Sequence, residues 1–234
     1  MKLRLILGLI GSLAALQVLG QWQAVAGYDI AGIQIPTLNR QLDGFNVKNS
    51  FSAEPFKKLR ILHSLVIGAR YQHNLGALEL LYQRGFSRRS ADGVREVDSQ
   101  AGVGPIDMFY NTNTISAAMD WGKEFVVGIS LDYTFFKYKI TSDDSSVLLD
   151  LTDEDQGWGS KIYLAWHLAK SEKVSFTVRP YYRWIWRDIY FQNVGSILTD
   201  LPELSCFDCY CSDCFDRPHT FGLSIFIHNG RTAR

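Results

Sequence analysis

The sequence predicts an all-β chain that closes into an antiparallel transmembrane β-barrel of about eight strands. Three observations predict it. Along Phe125 to Phe135 every second residue is large and apolar (Phe125, Val127, Ile129, Leu131, Tyr133, Phe135), and the residues between are small or polar. A strand repeats every two residues, so one face is greasy and the other polar. The inter-strand connections alternate, short then long, which is the rhythm of short periplasmic turns and long extracellular loops in outer-membrane barrels. Finally, residues 1–20 read as a secretory signal, and no later stretch is apolar and long enough for a membrane-spanning helix.

In order, the predicted strands are Ala24–Ile35, Leu59–Gln72, Leu75–Phe86, Ile106–Met119, Phe125–Thr141, Trp158–Ala169, Val174–Ile189 and Thr220–Asn229. The tight connections are 73–75, 121–124 and 170–173. The long ones are 36–58, 87–105, 142–157 and 190–219. In the seventh strand Val174, Phe176, Val178, Tyr182, Trp184 and Trp186 share one face, against Ser175, Thr177, Arg179, Tyr181, Arg183 and Arg187 on the other. In the sixth, Ile162, Leu164, Trp166 and Leu168 oppose Lys161, Tyr163 and His167. Aromatic residues then gather in two girdles, as barrels place them at membrane interfaces. The outer girdle holds Tyr133, Phe135, Trp158, Tyr182, Trp184 and Trp186, and the inner one Trp121, Phe125 and Trp166. Two bulges are expected: one at Pro180, which has no N–H to give the ladder, and one where the fourth strand slips phase between Tyr110 and Ile115.

In the signal segment Lys2 and Arg4 form the positive region and Leu5–Leu19 the apolar run. Val18 and Gly20 suit cleavage before Gln21, leaving a barrel domain over 21–234. The run of about 15 residues is short of the roughly 20 a spanning helix needs. The formal net charge is zero over 234 residues, which offers no basic patch for nucleic acid. Mean hydropathy is −0.05, an average over two unlike faces that conceals a barrel from any hydropathy plot.

On this pattern the chain resembles the small outer-membrane β-barrels of Gram-negative bacteria, the OmpX-like and OmpA-barrel-like group. The resemblance rests on strand pattern and covers nearly all of 21–234. It implies export to the cell outer membrane and folding by the outer-membrane assembly machinery. It departs at the C-terminus, where Phe221–Ile227 is followed by His228–Arg234 with no terminal aromatic, the residue many such barrels use as an assembly signal.

An eight-strand barrel has room inside only for its own side chains. The inward set includes Arg70, Glu79, Asp132, Lys161, Arg179, Arg183 and Arg187, with Gln83, Tyr163 and Tyr181. Buried charges persist when paired, so the expectation is a solid polar network. A narrow anion path along Arg179, Arg183 and Arg187 is the transport alternative.

All four cysteines, Cys206, Cys209, Cys211 and Cys214, fall in one long loop, spaced C-x2-C-x-C-x2-C. In an exported chain this argues for two disulfides in any of three connectivities. The same spacing also suits a tetrahedral thiolate site for zinc or iron. Phe207, Tyr210 and Phe215 would make that loop an aromatic recognition surface. The loop 142–157 carries Asp143, Asp144, Asp150, Asp153, Glu154 and Asp155, a candidate for Ca²⁺ or Mg²⁺ without the EF-hand pattern; otherwise no cofactor is expected. Arg84, Arg88 and Arg89 would meet lipopolysaccharide phosphates.

For catalysis, the one grouping worth naming is His219 with Asp216, Asp213 and Ser205. No G-x-S-x-G elbow exists, and an enzyme is not expected. The reading is a structural or surface-binding outer-membrane barrel whose outer loops, chiefly 190–219, contact a partner, a ligand or lipopolysaccharide. The alternatives are a lipid-modifying hydrolase or acyltransferase, a narrow solute channel, and a soluble lipocalin-like carrier.

Overall fold

The computed structural model describes residues 22–48, 54–73, 76–91, 106–122, 125–142, 150–170, 174–190 and 215–229. Eight strands close into one barrel: β1 (Trp22–Gln34), β2 (Ile61–His73), β3 (Gly76–Ala91), β4 (Ile106–Gly122), β5 (Phe125–Ser142), β6 (Asp150–Lys170), β7 (Val174–Ile185) and β10 (His219–Asn229). Each pairs antiparallel with its neighbours, and β1 closes the ring on β10. A 13-residue helix, α1 (Pro36–Lys48), follows β1, and a two-stranded ribbon, β8 (Ile189–Tyr190) with β9 (Phe215–Asp216), precedes β10.

The barrel is apolar on the outside. Leu65, Ile67, Leu80, Phe125, Val127, Ile129, Leu131, Ile162, Leu164, Phe221 and Ile225 are all at least 40% exposed. A soluble monomer rarely shows a contiguous apolar patch beyond a few hundred Å², and this one encircles the molecule. Lipid is the solvent that suits it, and a closed barrel leaves no strand edge unpaired within it. The chain is a membrane-spanning β-barrel.

Rings mark both margins of the apolar belt. At the tight-turn end Trp22 lies 5.0 Å from Tyr71, and Phe125 lies edge-on to Trp166 at 6.3 Å. At the outer end, which bears the long connections, Tyr133 sits 4.7 Å from Trp158 and Tyr182 5.9 Å from Trp184. Three outward tyrosines of that end direct their hydroxyls to a polar group on the next strand: Tyr28 to His63 Nδ1, Tyr82 to Asn113 Oδ1 and Tyr182 to His219 Nδ1, at 2.6–2.7 Å. Such rings keep an apolar body in lipid and a satisfied polar tip at its edge.

The wall is uneven in height. β1, β2, β7 and β10 run 11–13 residues, whereas β3 to β6 run 16, 17, 18 and 21. About 9–11 tilted residues cross a membrane, so β3 to β6 continue well past it. Their outward faces change accordingly, from Phe86, Ile115 and Phe135 to Arg88, Lys137 and Glu154.

Several expectations are corrected. Segment 36–58 is not all loop, since Pro36 begins a helix at the position where a missing N–H costs nothing. β3 extends five residues past Phe86, and β6 starts at Asp150, inside the expected acidic loop, pairing Asp150–Gly157 with Thr134–Thr141. β7 ends at Ile185, not Ile189. There is no bulge in β4: its register to β3 and β5 is unbroken from Ile106 to Asp120, with even-numbered residues facing inward throughout. The apparent slip arises because the inner face itself turns apolar at the outer end. Pro180 shifts no register either. Pairing with β6 lapses opposite it and resumes in phase at Trp166↔Val178, and the irregularity falls instead between His167 and Ala169.

Candidate functional site

Two features decide what can pass through the barrel and what can act at its outer end. The first is the lumen. Arg70 and Glu79 are direct cross-strand partners on β2 and β3, and Arg70 Nη1 donates to Glu79 Oε1. The same guanidinium reaches Asp120 at 2.7 and 3.2 Å, and Asp120 also accepts from the Ala77 N–H at 3.0 Å. Arg179, on β7, closes on Glu79 with two hydrogen bonds of 2.7 and 2.9 Å. Its guanidinium lies between the rings of Tyr163 and Phe226, 4.4 and 4.5 Å from their centroids.

A second layer joins Arg183, whose Nε lies 2.7 Å from Asp132 Oδ2 and whose Nη2 donates to Gln83 Oε1. Gln83 donates in turn to Asp29 at 2.7 Å. Asp29 also accepts from Tyr181 Oη at 2.8 Å and Ser224 Oγ at 2.9 Å. Lys161 lies against the Tyr181 ring at 5.6 Å. Four buried carboxylates (Asp29, Glu79, Asp120, Asp132) thus face four buried cations (Arg70, Lys161, Arg179, Arg183). Charges taken from water persist when this densely paired. Arg187 is not among them. It follows the end of β7 in an exposed bend and pairs at the outer mouth with Asp155, in the inward phase of β6 and apart from the two charged layers, because β7 stops two residues earlier.

The second feature is the outer mouth. There the inner face of the tall wall is apolar, with Ile106, Met108, Tyr110, Phe136, Tyr138 and Ile140 buried in one cluster with Ile35, Leu38 and Leu42 from the helix side and Phe56 and Leu59 from the segment that follows. Leu38 and Leu42 lie four apart and so share a helix face. Two asparagines seven apart, Asn39 and Asn46, grip the extended segment returning to β2. Asn39 exchanges hydrogen bonds with Leu59 N and O (2.8 and 3.1 Å), and Asn46 with Phe56 N and O (2.9 and 2.8 Å). Each amide stands in for a strand neighbour. Asp216 of β9 caps the helix, accepting from Thr37 N at 2.8 Å and Leu38 N at 2.9 Å. Burial pushes its carboxyl above the ordinary carboxylate range, with those two amides pulling it back.

The remaining sequence candidates divide. Cys206, Cys209, Cys211, Cys214, Phe207, Tyr210, Ser205, Asp213, Asp143, Asp144 and the signal segment lie outside the described residues. Phe215 is on β9, with its ring 6.0 Å from that of Tyr190. Of the acidic loop, Asp153 is buried, Glu154 pairs with Lys137, and Asp155 binds Arg187 and the Tyr190 N–H. Among the described residues no group of three His, Cys, Asp or Glu is placed to hold a metal ion. Arg88 pairs with Asp107, and Arg89 donates to the Lys58 and Arg88 carbonyls. His219 stacks on Tyr182, while Asp216 is turned to the helix.

Reading by strand missed Asp29, Asp120 and the α1 cap. Asp29 and Asp120 fit the inward phase of β1 and β4, so strict alternation applied along the first strand, and carried one residue past Met119 in the fourth, would have found them. The cap links residues 179 positions apart, and no local pattern contains it.

The sequence matches no family model and no curated protein sequence. Among solved structures, Neisserial surface protein A aligns over 89% of this chain and 96% of its own, with 11% identity and a TM-score of 0.44. Ail of Yersinia pestis, crystallised with the heparin analogue sucrose octasulfate, aligns over 89% and 97%, with 10% identity and a TM-score of 0.45. The outer membrane protease OmpT of Escherichia coli aligns over 90% and 95%, with 7% identity and a TM-score of 0.36. The closed eight-strand antiparallel barrel seen here is the architecture that the resemblance to the OmpX-like and OmpA-barrel-like group implies.

Proposed function

We propose that the chain is an integral outer-membrane protein with a structural or surface-binding role, acting on the outer side of the barrel and not through it. The observation that carries this is the pair of contacts that span the lumen, Arg179–Glu79 and Arg183–Gln83. β3 and β7 stand four places apart in the ring of eight, so these side chains meet across its full width. Above them the apolar cluster under α1 fills the mouth. With the lumen occupied, the parts left to meet a partner are the tall β3–β6 wall and the outer connections, the Cys-rich segment included. Export by a cleaved signal over 1–20 belongs to the same reading. Binding, not catalysis, fits the polar groups at the outer end, which serve architecture: Asp216 caps a helix and His219 holds a girdle tyrosine.

Conductance across planar lipid bilayers tests the reading. Purified protein inserted at high copy number is expected to give no sustained single-channel steps. Regular ohmic steps would assign it to the channel class, with the arginines lining an anion path.

A further inference from the structure

A groove of about 680 Å³ opens at the outer rim on the low side of the wall, between the end of β1 and the helix. Its floor is a gap in the apolar girdle. On the exterior, Ile61, Gly32, Phe221 and Tyr182 form one cross-strand row. The other three are exposed and bulky, whereas Gly32 has no side chain. Packing does not demand this glycine: a Cβ there would make only ordinary contacts, 3.7 Å from the Phe221 carbonyl oxygen and 3.8 Å from that of Arg60. The result is an apolar notch one side chain deep, facing lipid.

Above the notch the lining turns cationic, with Arg40 from α1 and Lys58 and Arg60 from the segment entering β2. Lys58 is held by Asp43 at 2.7 Å. Arg40 and Arg60 are exposed, and neither has a carboxylate within ion-pair distance among the described residues. The groove therefore joins an unfilled apolar slot to two exposed guanidinium groups outside any close ion pair, Arg40 lying in the longer-range field of the Asp216 carboxylate, at the level where the Tyr182 hydroxyl marks the end of the lipid belt. An acyl chain complements the slot and phosphate oxygens complement the guanidinium groups, whose planar donors match them in pairs.

We propose that this groove is a binding site for the phosphorylated headgroup of lipopolysaccharide, with one acyl chain lying in the Gly32 notch. The inference rests on the outer-membrane reading above, since that leaflet supplies a lipid with more than one phosphate to match two separate cations.

The test uses full-length protein folded in neutral detergent, titrated with lipid A and followed by native mass spectrometry. Phosphatidylethanolamine serves as a second lipid and inorganic phosphate as a competitor. A mobility shift on boiling is checked for every variant, so that a chain that never forms the barrel is recognised as a failure of the outer-membrane reading. Wild type is expected to retain lipid A at concentrations at least about tenfold below those needed by Arg40→Gln/Arg60→Gln. Gly32→Trp, which fills the notch and leaves the cations, is expected to weaken binding similarly. Equal retention by wild type and both variants overturns the site. Equal binding of phosphatidylethanolamine overturns the choice of lipid, and full displacement by inorganic phosphate with no effect of Gly32→Trp reduces the site to one for free phosphate.

Discussion

Arg179 and Glu79 meet across the full width of the barrel, two parallel hydrogen bonds of 2.7 and 2.9 Å joining strands on opposite sides of the ring. Arg70, directly opposite Glu79 on the neighbouring strand, completes the grip on the same carboxylate. One glutamate thus ties three strands together across the lumen.

Glu79→Gln should be destabilising by roughly 3–5 kcal/mol, because it leaves the buried Arg179 guanidinium without its counter-charge and Arg70 with Asp120 alone. The readout is the urea or temperature midpoint of the folded gel band. Glu79→Leu combined with Arg179→Met should recover part of the loss by removing charge from both sides. A Glu79→Gln barrel as stable as wild type would mean that the lumen is hydrated and the network dispensable.

Leu131 faces lipid and Asp132, its neighbour, is buried and paired with Arg183. Leu131→Arg near the midplane should cost about 2–4 kcal/mol, measured by unfolding from lipid bilayers. Lys137→Leu, on the same strand but above the belt, should change stability by no more than about 0.5 kcal/mol. The reverse ranking would place the membrane belt at the wrong height.

Tyrosines lie over glycines on adjacent strands at two places. A Cβ on Gly128 would come within 2.1 Å of the Tyr163 ring, and one on Gly222 within 2.5 Å of the Tyr181 ring. Gly128→Val should therefore cost about 1–3 kcal/mol through overpacking, and Tyr163→Ala in the same chain should relieve much of it. Thermal melting of the folded band measures both. Additive losses in the double variant would mean that the two positions are independent.

Asp216→Ala should loosen α1 while leaving the barrel intact, since it removes the acceptor for two helix N–H groups at a cost of about 0.5–2 kcal/mol. Hydrogen exchange at Thr37 and Leu38 should accelerate with no change in the exchange of β4 and β5 amides. Unchanged exchange at the helix would show that the asparagine clamps suffice to hold it.

The barrel was legible because lipid and lumen impose opposite demands on successive residues, which β5, β6 and β7 obey over their whole spanning length. The lumen charges were legible for the same reason. Strand-end phase assigned Arg187 inward only by assuming that β7 continued, and the bend at Trp186–Arg187 breaks that assumption. Above the membrane the rule changes. Met108, Tyr110, Phe136 and Tyr138 are apolar residues facing inward, so the alternation seemed to slip where it had only lost its polar half. The acidic residues of β6 concealed a strand because above the lipid they fall on both faces: Glu154 turns outward to Lys137, while Asp153 and Asp155 lie in the inward phase, Asp155 held by Arg187. Helix α1 went unread within the expected loop 36–58: Pro36 and the Leu38–Leu42 spacing are its local signals, and what holds it comes from Asp216, far away in the chain.

The apolar face of these strands meets lipid and not a ligand-filled interior. Membrane fractionation followed by unheated and boiled gel electrophoresis tests it most directly. A lipid-embedded barrel places the protein in the outer-membrane fraction and shifts its mobility on boiling, as the folded form opens. A soluble protein with no shift would contradict it and turn the barrel's two faces into those of a carrier.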